Sequence, residues 1–231
     1  MNCYQLGRRT LPLVVAVVTL LLAGAPGLAQ AGATDGGRIN SPGERSHNIY
    51  LGWPEASYLW EGMIKDRKAV GLKVGVQIWP LALTVGLNMR FSLLERGKVS
   101  LALLVRPGIN VAGFGGSKAV YPQNYQWGRS RSFRPSFGPG IDLGLLASID
   151  ASPRLRVLLS FESPVAFWIW VSPVQWWLEW PMIISGGVEY EINYRVSLIA
   201  LAGGGPAIAF SGPSQLLGVA GRFRIGVQVR Y

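Results

Sequence analysis

The side chains that could do covalent chemistry are few. The chain of 231 residues holds one histidine, His47, and one cysteine, Cys3. Serine and aspartate are present, but acyl transfer and hydrolysis need a base beside the nucleophile, most often histidine. His47 stands at the edge of a polar stretch with no second candidate near it, which predicts a solvated ring and a protein that is not an enzyme. No cluster has metal-ligand spacing, and the glycines fall within alternating stretches rather than between a strand and a helix, so no phosphate loop or nucleic-acid module is present. The sequence calls for no cofactor and no metal.

What the chain does carry is charge at alternate positions. Lys73, Arg90, Arg106, Asp142, Arg156, Glu162, Glu189, Glu191, Arg222, Arg224 and Arg230 each stand opposite, in phase, to apolar neighbours. Side chains alternate faces along a strand, so this spacing puts the charges on one face and the apolar residues on the other. Buried charges have to be paired. If that face looks inward, a network of ion pairs follows, with Glu162, Glu189 and Glu191 as partners for Arg222, Arg224 and Arg230.

The elements that must hold these charges begin at Ala69. Val70, Leu72, Val74 and Val76 alternate with Gly71, Lys73, Gly75 and Gln77, a period of two rather than of a helix. Similar stretches predict eight strands, at about 69 to 79, 81 to 93, 98 to 112, 138 to 151, 154 to 167, 181 to 192, 195 to 209 and 217 to 231. Trp79-Pro80 reads as a tight turn. Glu95-Arg96-Gly97-Lys98, Ser152-Pro153-Arg154 and Asn193-Tyr194 read as short turns, and 113 to 137 and the tryptophan-rich 168 to 180 as long connections. The phase of 196 to 210 is open, because both faces there are apolar and rich in Gly and Ala.

Ahead of the strands lies a secretory signal. Arg8 and Arg9 precede the apolar run Leu11 to Leu22, and Gly27-Leu28-Ala29 offers small residues for cleavage. Small and turn-forming residues from Ala23 to Gly27 interrupt that run, whereas a spanning helix needs about 20 unbroken apolar residues. Residues 1–29 are therefore read as a removed signal that takes Cys3 with it, leaving no thiol for disulfide, metal or nucleophile. Residues 30–47 read as a flexible tail, 48–68 as an N-terminal segment or hairpin of uncertain form, and 69–231 as a β-domain. Hydrophobic residues make up 49% and charged residues 15% of the chain, with a formal net charge of +10. So few charges point to a surface facing something other than water, and export makes anionic lipid a better partner for the basic excess than nucleic acid.

The last stretch, Val219 to Tyr231, places Val219, Phe223, Ile225, Val227, Val229 and Tyr231 on one face and Arg222, Arg224, Gln228 and Arg230 on the other. It resembles the closing strand of bacterial outer-membrane β-barrels, in which a terminal aromatic, here Tyr231, marks the chain for the barrel-assembly machinery. The resemblance implies an all-β, antiparallel, up-and-down transmembrane barrel of eight strands, or ten if 48–64 adds a hairpin. It also implies an outer-membrane location with short periplasmic turns and longer outer loops. A soluble barrel or sandwich would alternate too, but would carry more Lys and Glu on its wet face.

For function the expectation is a structural or surface-interaction role with a lumen plugged by paired charges, since an eight-stranded barrel is just wide enough for side chains to fill. A narrow pore for small solutes is the alternative, and a lipid-modifying barrel enzyme the second. Lys118, Arg129, Arg131 and Arg134, set among aromatics in the long connection, suit contact with lipopolysaccharide phosphates, because Arg matches phosphate bidentately.

Overall fold

A computed structural model describes residues 36–38, 43–65, 67–77, 82–112, 136–171, 174–211 and 214–231. The signal segment 1–29, the Trp79-Pro80 turn and the connection carrying Lys118, Arg129, Arg131 and Arg134 lie outside the described residues. Eleven β-segments run in order: β1 (Arg45–Trp53), β2 (Glu55–Lys65), β3 (Lys68–Gln77), β4 (Ala82–Arg96), β5 (Val99–Ala112), β6 (Ser136–Asp150), β7 (Leu155–Val171), β8 (Val174–Pro181), β9 (Ile183–Asn193), β10 (Val196–Ser211) and β11 (Ser214–Arg230). Each pairs antiparallel with its neighbours. β1 also pairs with β11, from Ser46 opposite Arg230 to Trp53 opposite Phe223, so the sheet closes on itself and leaves no edge.

β8 and β9 are two lengths of one stave. β8 pairs with the distal part of β7 and β10, β9 with the proximal part of both. Pro181 has no N–H to give to the ladder, and the break is one residue long, with Met182 still donating its N–H to Pro206 O at 2.9 Å. Glu179, Pro181, Ile183 and Ser185 keep one inward phase across it. The described chain is therefore a ten-strand barrel, not one of eight strands.

One region makes the difference in count, and a second lengthens strands already counted. The segment of uncertain form, 48–68, is the β1–β2 hairpin and the start of β3; its alternation is masked because Tyr50 and Leu59 are apolar residues that face inward. The stretch 168 to 180 is the distal end of β7 and nearly all of β8, with 172–173 outside the described residues. There Trp168 faces in and Trp176 and Trp180 face out, so tryptophan on both faces erases the period of two.

One end of the barrel carries tight turns, among them Gly97-Lys98, where Gly97 sits at φ +59°, a conformation costly for residues with a Cβ. This turn end also holds Arg45 and Tyr231, which exchange backbone hydrogen bonds at 3.1 Å. The opposite end is the loop end, from which 113–135 departs between β5 and β6.

Candidate functional site in the barrel lumen

The wall sorts its residues in the reverse of a soluble protein. Large apolar side chains point outward, Leu51 at 62% exposure and Ile184 at 67%, while Arg90 is 0% and Glu61 1% exposed. All of Lys73, Arg90, Arg106, Asp142, Arg156, Glu162, Glu189, Glu191, Arg222, Arg224 and Arg230 lie on the inward phase of their strands. The inward side of β10, whose phase the sequence leaves open, is Ser197, Ile199, Leu201, Gly203, Gly205, Ala207 and Ala209.

The proximal half of the lumen, next to the turn end, is filled. Arg156 stands directly opposite Asp150 on β6 and Glu189 on β9, and bonds them at 2.7 and 2.5 Å. Arg230 shares Glu189 at 2.6 Å and reaches Ser197 and Gln228 at 2.7 and 2.8 Å. Farther round, Glu61 receives Arg90 through Nε at 2.8 Å and Nη2 at 2.5 Å, and the Asn88 amide at 2.7 Å. Above these, Tyr50, Leu158, Ile199 and Leu201 meet inside the barrel as an apolar cluster. Gly226 leaves the space for the Tyr50 ring, whose Cδ1 would lie 2.4 Å from a Cβ at that position.

The chain's own N-terminal stretch enters this half. Arg90 Nη1 donates to Gly36 O at 2.8 Å and Arg38 O at 3.2 Å, and Arg38 bonds Asp150 at 3.1 Å. A Cβ on Gly37 would come within 2.2 Å of Ser100 O, so only glycine fits that approach. Residues 36–38, expected in a flexible tail, lie in the lumen as part of its packing.

The distal half is hollow. A cavity of about 220 Å³ lies there. It exists because Gly86 on β4, Gly108 on β5 and Gly140 on β6 stand side by side in register and present bare backbone to the lumen. Its floor is a set of ion pairs. Arg106 bonds Asp142 at 2.9 Å, directly opposite it on β6, and Asn88 at 2.9 and 3.0 Å. Arg222 reaches across from β11 to Glu162 on β7 with both terminal nitrogens, one at 2.9 Å, and to Ser185 at 3.0 Å. Arg224 lies 3.8 Å from Glu162 and over the Tyr50 ring. Higher up, Lys73 pairs with Glu55 at 2.6 Å, and Trp168 donates to Glu179 at 3.2 Å.

Sequence reasoning missed Glu55, Glu61 and Arg38 because they precede Ala69, and Asp150 and Glu179 because each stands beside a turn or among tryptophans. His47 is on the outer wall, stacked between Tyr58 and Tyr231 with centroids 5.8 and 5.1 Å away, and its Nδ1 shares a short hydrogen bond with the Tyr58 hydroxyl. Among the described residues no group of three or more His, Cys, Asp or Glu is placed to hold a metal.

Exposed aromatics ring both ends: Trp53, Phe137, Trp176 and Trp180 toward the loop end, Tyr194 and Tyr231 at the turn end. A closed sheet with every strand paired, greasy outside, charged inside and girdled by aromatics is the form in which strands cross a bilayer. The chain is a membrane-spanning β-barrel. No protein-family model and no curated protein matches it. Among solved structures it is similar to the KdgM porin in complex with disordered oligogalacturonate, at 9% identity and a TM-score of 0.37 over 80% of this chain and 98% of that one. It is also similar to Ail, the attachment invasion locus protein of Yersinia pestis, at 12% identity and 0.37 over 83% and 100%. The outer membrane protease OmpT from Escherichia coli matches at 10% and 0.35 over 81% and 92%. Superpositions at this level assign neither a strand count nor a role.

Proposed function

We propose that the barrel is a narrow conduit for small polar solutes, here in its closed state. The observation that carries this reading is the glycine-walled, charge-floored cavity in the distal half, which a purely structural barrel has no reason to leave open. The loop end is the one such barrels turn outward, since outer loops are the longer ones. In that orientation the cavity is a vestibule taking solute from outside, and the ion pairs beneath it, with residues 36–38, are the gate. Paired side chains suit a gate because a buried ion pair nearly balances its desolvation cost, so exchanging partners requires little net energy while breaking the barrel wall requires much.

The test is conductance in planar bilayers, comparing the full chain with a variant lacking residues 30–42. The expected result is small, infrequent discrete openings in the full chain and a higher open fraction in the variant. Absence of any discrete opening from both proteins, each shown folded by heat-modifiable gel mobility, rejects the conduit.

A further inference from the structure

The charges around the cavity are balanced in number but not in place. Asp142, Glu162 and Glu179 come from the consecutive segments β6, β7 and β8, one arc of the wall. Arg222 and Arg224 on β11 and Lys73 on β3 stand away from that arc, and Arg106 on β5 borders it beside Asp142. Glu55, the one acid on the cationic side, is matched by Lys73. The lining thus has four acids and four cations and no net charge, with three of the acids gathered on one arc.

That arrangement discriminates among solutes. A singly charged solute leaves the lining with an uncompensated charge, while a solute carrying both signs can set its ammonium toward the acidic arc and its carboxylate away from it, adding no net charge. One acceptor is left over: Asp142 Oδ2 accepts from Arg106, and its Oδ1 is buried with no hydrogen-bond partner among the described residues. Buried acceptors rarely stay unpaired in a resting protein. On the opposite wall the Lys73 ammonium, with three donors, has capacity beyond Glu55.

We propose that the cavity selects small zwitterionic solutes, the ammonium at Asp142 and the carboxylate on the Lys73 side. The inference deepens the conduit reading by naming the solute class, and it requires only that the cavity be reached from the loop end. The test is isothermal titration of the full chain in detergent with β-alanine, propionate, propylammonium and propanediol, which share a three-carbon frame. β-Alanine is expected to bind at least about tenfold more tightly than the other three, the scale of one charged hydrogen bond. Asp142→Asn, nearly isosteric, is expected to remove that margin, in part by tightening propionate as the lining gains one net positive charge, and Glu179→Gln to reduce it less; heat-modifiable mobility confirms that both variants are folded. Propanediol or propionate binding as tightly as β-alanine, no binding by any probe, or an unchanged margin in a folded Asp142→Asn variant overturns the proposal. Zwitterion binding without conductance ends the conduit and leaves this inference standing; conductance without β-alanine preference does the reverse.

Discussion

The two halves of the lumen are built from the same ten staves yet differ in what fills them. Near the turn end the inward side chains of the described residues pack against one another: Arg156, Arg230 and Glu189 interlock, Glu61 holds Arg90, and Gly36 to Arg38 enter the space between. Near the loop end, β4, β5 and β6 each place a glycine at one inward level, Gly86, Gly108 and Gly140, and the charges stand around a void. The contrast teaches that barrel size alone does not decide between plug and vestibule. Ten strands supply a lumen, and side-chain volume at each level divides it.

The division predicts a gradient of mutational cost. Glu61→Ala should be the most damaging lumen change, about 3 to 5 kcal/mol, because it strands the fully buried Arg90; urea unfolding in lipid vesicles measures it, and a loss below about 1 kcal/mol would mean that half is wet. Ile225→Arg, on the outer face between Phe223 and Val227, should cost about 2 to 4 kcal/mol by placing charge against lipid. Folding yield into vesicles reports it, and a neutral outcome would put that face indoors. Gly226→Ala should cost about 1 to 3 kcal/mol by pushing the Tyr50 ring into Leu158 and its neighbours, again read by urea unfolding. Glu55→Ala, at the cavity wall with Lys73 able to turn toward water, should cost about 1 kcal/mol or less. Should Glu55→Ala match Glu61→Ala, the two halves are not different environments.

How much of this was legible before folding depends on which face a residue had to serve. β3 to β6 and β9 read cleanly, since Val, Leu and Ile face lipid while Lys73, Arg90, Arg106 and Asp142 face in. The phase of β11 was equally plain, and it put Arg222 and Arg230 inside, where Glu162 and Glu189 meet them. The first hairpin and the distal ends of β7 and β8 did not read, because period-two reasoning fails wherever both faces are apolar, as at Tyr50, Leu59 and Trp168. The hairpin accounts for the two strands beyond eight, and the distal ends only lengthen strands already in the pattern. The entry of Gly36 and Gly37 into the lumen left no periodic signal at all: it depends on backbone carbonyls meeting Arg90, a contact between positions far apart in sequence.

The claim on which the rest depends is that the lumen is open above Asp142 and closed below it, and engineered thiols test it directly. In a Cys3→Ser background, Thr84→Cys at the cavity and Ser197→Cys beneath it are each exposed, in sealed vesicles or whole cells, to a membrane-impermeant maleimide added on the loop-end side. Fast labelling at position 84 and protection at position 197 is the predicted result. Equal labelling of both, or protection of both, would contradict the division of the lumen into vestibule and plug.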